Sequence, residues 1–202
     1  MRQRFLVSLL IALLVASSAA VLLAASPPVK VYTTQRSFEA KVDPVTVPIP
    51  TSDIAPPDPP CYMELSMAFG SNVLNVQNLL YGNGLCIFNE GRILPPGNTN
   101  PSEMIANTIV GGSEDDYLLT FTEPVNAVGL RLLTNYVANE TVTLFDLQDE
   151  VIAVVKLDRL TEPNTRQFVG FVSKVPIAKV EIDTVGGAQQ NEGIDLIQVG
   201  TR

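Results

Sequence analysis

Tyr136 lies beside Asn135 and Asn139 in a stretch of turn-forming residues, and Tyr81 heads the run Tyr81-Gly82-Asn83-Gly84. An aromatic face next to amide side chains suits a shallow sugar site, where the ring stacks on the apolar face of the sugar and the amides bond its hydroxyls. Tyr62 and Tyr117 are the other candidate platforms. The structural alternative for each is a tyrosine at a sheet edge with its hydroxyl hydrogen-bonded. The chain has no tryptophan and only 6% aromatics, which counts against an enzyme of the sugar-cleft kind and against a strong sugar binder.

Carboxylates are plentiful, with 21 acidic side chains against 13 basic ones and a net charge of -8. Glycoside hydrolysis needs two of them facing each other across a cleft, about 5 to 9.5 Å apart. Spacing along the chain does not pair them. Gly111-Gly112-Ser113-Glu114-Asp115-Asp116 reads as a cation loop or, more simply, as a solvated turn entering the next strand. Asp146-Leu147-Gln148-Asp149-Glu150 reads as a hairpin turn. Histidine is absent, which removes the commonest general base and zinc ligand. No Ser-His-Asp set, glycine-rich phosphate loop or cysteine-rich metal motif occurs. An acidic chain without a basic run also disfavours nucleic acid as a partner. Asn139-Glu140-Thr141 forms a glycosylation sequon.

The only two cysteines, Cys61 and Cys86, are expected to form a disulfide between neighbouring strands, as suits an exported chain. A pair of buried free thiols is the alternative. A catalytic thiol is disfavoured because no histidine or basic cluster stands near either sulfur.

The elements that must position these residues begin with an address. Met1 to Arg4 are positively charged and Phe5 to Ala25 carry no charge, so residues 1–25 read as a signal peptide cleaved after Ala25. An uncleaved anchor is the alternative, in which residues 5–25 are the chain's only membrane contact. Residues 26–60 form a Pro-rich segment with a short helical turn around Arg36 to Lys41. Seven prolines between residues 43 and 60 restrict it to an extended edge and a loop. Residues 61–202 read as the core of an all-β antiparallel sandwich that starts as early as residue 30.

Met63, Leu65, Met67 and Phe69 alternate with polar or small residues, as a half-buried strand requires. Tyr81-Gly82-Asn83-Gly84 is a hairpin signal. Seven strands are expected over 117–122, 125–133, 141–146, 150–157, 167–173, 178–184 and 193–199. Breaks fall at Glu123-Pro124 and Lys174 to Pro176, among others.

The order Thr34-Gln35-Arg36-Ser37-Phe38-Glu39-Ala40, Leu119 to Leu130, Val142 to Asp146, Phe168 to Phe171, Val175 to Ile182 and Gly193 to Val199 resembles secreted bacterial surface proteins of the PEP-CTERM type. The sequence lacks their sorting tail after Val199, and residues 61–112 depart from the pattern. The resemblance implies a jelly-roll, galactose-binding-like fold. In calcium-stabilised modules of that kind a late-strand aspartate and an acid near the first strand hold a structural ion, which makes Asp195 with Glu39 or Asp43 a candidate calcium set. A neighbouring loop bonded to Asp195 is the alternative.

The sequence thus points to an exported, non-catalytic β-sandwich, secreted or at the cell surface, acting by binding a glycan as a carbohydrate-binding-like module. A structural or adhesive protein with cell-envelope protein partners is the alternative. A secreted hydrolase is the third reading.

Overall fold

A computed structural model describes residues 28–51, 61–79, 84–89, 106–111, 116–134, 139–157, 165–185 and 192–200. In chain order the elements are β1 (Val29–Tyr32), α1 (Gln35–Val42), β2 (Val45–Thr46), β3 (Cys61–Tyr62), β4 (Glu64–Phe69), β5 (Asn72–Asn78), β6 (Leu85–Phe88), β7 (Thr108–Gly111), β8 (Tyr117–Thr134), β9 (Asn139–Phe145), β10 (Val151–Lys156), β11 (Thr165–Val185) and β12 (Glu192–Gly200). Each strand pairing is antiparallel. The architecture is all-β, consistent with a sandwich. The apolar segment 1–25 lies outside the described residues, among which no helix is long and apolar enough to cross a membrane.

Two long strands organise the rest. The first half of β8 pairs β5 (Leu74↔Phe121 to Asn78↔Tyr117) and the late part of β11 (Lys179↔Thr120 to Ile182↔Tyr117). Its second half pairs β12 and the early part of β11. The register shifts between Val172 and Lys179, opposite Pro124 and Val125. Glu123-Pro124 and Lys174 to Pro176 were expected to end strands; instead they bend strands that continue. A proline that omits one ladder bond beside a bulge is tolerated, and the bulge supplies the turn.

The two halves define two layers. One contains β4, β5, the start of β8, the end of β11, β9 and β10. The other contains β1, the start of β11, the end of β8, β12, β2, β7, β6 and β3. Leu74, Leu119, Val142 and Val180 from the first meet Leu130, Phe171, Ile194 and Ile197 from the second in one apolar cluster. Alternation explains the selection, since Leu65 and Met67 of β4 are buried while Glu64, Ser66 and Ala68 are exposed. Met63, expected on the same buried face, precedes the strand and is exposed.

The second layer's outer face carries α1. Thr34 caps the helix by accepting the Ser37 N–H through its side chain at 3.4 Å, and Asp43 ends it in the left-handed region at φ 50°. The only buried residue of the helix is Phe38. Its ring lies over Gly129 and Gly170, where a Cβ would stand 2.8 and 2.5 Å from ring carbons, so the close approach requires glycine. Along one row of this layer Lys30 pairs Val172, Val172 pairs Ala127, and Ala127 pairs Gly200. Val29 and Gly200 thus sit at the same end of the molecule, three strands apart.

Cys61 and Cys86 face each other across β3 and β6 and are bonded, with Cα atoms 4.1 Å apart. Among the described residues, the strands that flank the hairpin signal at Tyr81 to Gly84 do not pair with each other. Tyr81 to Asn83 lie outside the described residues; of the flanking strands, β5 pairs β4 and β8, whereas β6 pairs β3 and β7. The hairpin joining β4 to β5 turns at Gly70-Ser71, with Gly70 at φ 59°. Asp146 closes the β9–β10 hairpin as expected, its carboxylate accepting the N–H groups of Gln148 and Glu150 at 2.9 Å each.

Candidate functional site

Where the layers bend over one another, five segments converge on a cleft of about 290 Å³. Asp43 comes from the end of α1, Val45 from β2, Phe69, Gly70, Ser71 and Asn72 from the β4–β5 turn, Glu123 from the bend of β8, and Val199 and Gly200 from the end of β12. Asp43 and Glu123 are exposed and Phe69 is half-buried. The Phe69 ring is held edge-on against Phe121, centroids 6.4 Å apart.

Asn72 fixes this geometry. It is buried, and its amide nitrogen donates to the Glu123 carbonyl at 2.7 Å. Its side-chain oxygen accepts from the Thr122 hydroxyl at 2.7 Å and from the N–H groups of Val73 and Glu123 at 2.8 and 2.9 Å. One side chain therefore ties the β4–β5 turn to the bend of β8, and the Glu123 carboxylate is carried by a constrained backbone. An exposed carboxylate on each side, a hydroxyl from Ser71 and a ring edge form a shallow polar cleft with an apolar wall. That lining can bond hydroxyls and cover a small apolar face.

The residues singled out from the sequence are distributed differently. Tyr81, Asn135 and Tyr136 lie outside the described residues, and Asn139 begins β9. Tyr117 is buried, and its hydroxyl accepts the Gly111 N–H at 3.1 Å, so it is a core residue rather than a platform. Tyr62 is 42% exposed.

Asp195, Glu39 and Asp43 are not assembled as a calcium set. Asp195 is buried at a bulge of β12, where its carboxylate accepts from Arg131 Nε at 2.6 Å and lies 3.4 Å from Arg166 Nε. Two guanidinium groups on those oxygens repel a cation and satisfy the charge without one. Glu39 instead accepts from Gln198 Nε2 at 2.6 Å and Gln35 Nε2 at 2.7 Å, bonds that hold its carboxyl below its ordinary 4.5. Asp43 lines the cleft. Among the described residues no group of three or more His, Cys, Asp or Glu is placed to hold a metal ion. The cleft itself was missed in the sequence, although Phe69-Gly70-Ser71-Asn72 carried the signal of a tight glycine turn after an alternating strand.

No family model and no curated protein matches this chain. Among solved structures it is similar at 14% identity, with a TM-score of 0.30, to the enzymatically active domain of tailspike protein 4 of bacteriophage CBA120. The match covers 64% of this chain and 18% of the tailspike chain. So loose a superposition carries no argument about activity.

Proposed function

We propose that this chain is an exported β-sandwich of jelly-roll type that acts by binding, with the cleft between Asp43, Phe69 and Glu123 as a shallow saccharide site and no catalytic role. The observation that carries the reading is the convergence of two exposed carboxylates and a fixed aromatic ring on one rigid concavity. Export is supported by the Cys61–Cys86 bridge, which suits an oxidising compartment, and by the apolar residues 5–25.

The test is a glycan array followed by calorimetric titration of residues 26–202 and of the variants Phe69→Ala and Glu123→Gln. A glycan bound by the wild type and weakened about tenfold by each variant supports the site. Binding that ignores both substitutions, or hydrolysis of the bound glycan, overturns the reading.

A second reading rests on a different observation. Among the described residues β10 is an edge strand paired only to β9, and it exposes Val151 at 55% and Val154 at 56%, next to Leu147 at 63%. Such an edge suits an adhesive or structural protein that adds a partner's strand. If no glycan binds while Val154→Lys abolishes adhesion to envelope material, the adhesive reading replaces the first.

A further inference from the structure

Among the described residues β10 pairs β9 alone, and its burial pattern is that of a strand open on its other side. A bulge at Ile152 turns Ile152, Ala153 and Val155 toward the core, while Val151, Val154 and Lys156 face outward and are exposed. The inward three pack against the core yet are only half-buried, whereas Val142 and Leu144, which face the same way on β9, are 0% exposed. Both faces of the edge are thus incompletely covered, as happens where a sheet is cut between two strands. An added strand covers both; a ligand lying on the outer face covers only one.

The charges at the two ends of the edge select the strand that fits. Val151–Lys156 contains neither proline nor acid. It follows a turn that carries Asp146, Asp149 and Glu150, of which Asp149 is paired with Lys179. It ends at Lys156, which meets no acid among the described residues. The strand therefore has an acidic end and a basic end, and an antiparallel copy of itself brings each to the other, twice. The faces set the register. With Val154 opposite Val154 of the second copy, Ala153 meets Val155, and across the bulge Val151 meets Lys156. Inward residues then oppose inward ones and outward residues oppose outward ones.

We propose that β10 is the interface of a two-fold dimer, in which the β10 strands of two copies of this chain pair antiparallel about Val154 and the sheet runs on from one copy into the next. The edge is the one the adhesive reading uses, here committed to a second copy. The cleft lies by the β4–β5 turn at the far edge of the same layer, so the pairing leaves a cleft open on each copy. Two linked shallow sites grip an array of saccharide more tightly than one. The dimer rests on β10 alone; only this bivalence rests on the cleft reading.

The experiment is sedimentation velocity on residues 26–202 from micromolar to submillimolar protein. A species of twice the monomer mass that grows with concentration and goes no further is expected. Val154→Lys sets like charges against each other on the two-fold axis and should leave monomer, with the circular dichroism unchanged because position 154 is exposed. Lys156→Glu should weaken the dimer about tenfold, since the contacts at both ends turn repulsive, and adding Glu150→Lys should restore it. Monomer at every concentration, a dimer indifferent to Val154→Lys, or a charge exchange that restores nothing overturns the proposal. Monomer at every concentration together with adhesion lost in Val154→Lys overturns it and gives the edge to another protein's strand, so the adhesive reading survives. Absence of glycan binding leaves the dimer standing and removes only its bivalence.

Discussion

Glu39 shows how a half-exposed residue can secure a contact between elements. Its carboxylate takes the amide N–H groups of Gln198 on β12 and Gln35 on α1, and the Gln198 bond is the larger reason its pKa lies below 4.5. Because the folded value is depressed, the stabilisation is present above the ordinary carboxylate value and disappears as the pH falls through the lowered one. Glu39→Ala should therefore melt below the wild type at pH 7, with the gap closing under acid. Paired thermal scans over the acidic range check this, and a gap that is constant with pH would sink the account. Asp195 was the residue read least well from sequence. Alternation was expected to turn it from both Ile194 and Leu196, but the bulge breaks that alternation, with Ile194 in the main core and Leu196 packed under α1, and its partner Arg131 is 64 residues away, a cross-strand neighbour invisible in a single chain. An acid in an apolar run suggests either a metal ligand or a hydrogen-bonded aspartate, and the structure pairs it with Arg131 and Arg166.

Among the elements, α1 depends on the two glycines beneath it. A Cβ on Gly170 would lie 2.5 Å from Phe38 Cδ2 and 3.1 Å from Phe168 Cε1. Gly170→Ala should destabilise by about 2 kcal/mol through overpacking. Urea unfolding measures it, and Phe38→Leu in the same chain should recover part of the loss. The disulfide acts on β3, a strand of two residues that could not hold its place by pairing alone. Cys61→Ser with Cys86→Ser should cost about 3 to 4 kcal/mol in the loop-entropy account, again read as a shift in the urea midpoint. The helical turn around Arg36 to Lys41 and the strands after Tyr117 were legible because alternation and turn residues are local signals. The continuation of β8 through Pro124 was not, because whether a proline ends a strand or bends it depends on the neighbouring strands. The pairing of β5 across to β8 rather than to β6 was hidden for the same reason.

At the scale of the whole molecule, β8 and β11 belong to both layers, so neither layer has a complete set of neighbours without the other. Core residues from each contribute to a single cluster. Unfolding should therefore be one transition, with near-ultraviolet dichroism and hydrogen exchange in β5 and β12 losing signal together. Separate midpoints for the two strands would show that the layers are independent. The all-β class followed from the turn spacing. The cleft did not, since its five segments come from residues 43 to 200 and meet only because the long strands bend.

The row that runs from Lys30 through Val172 and Ala127 to Gly200 has a consequence for how the chain can be rewired. Three strand spacings separate its ends, about 14 Å, a gap that a linker of roughly six residues spans with slack. A circularly permuted chain, joined from Gly200 to Val29 and opened at the exposed turn between Asp146 and Glu150, should keep the same sheet order and the same disulfide. Its melting point and its Cys61–Cys86 pairing, compared with the parent, would show whether the order of synthesis matters to this fold or only the neighbours each strand finally meets.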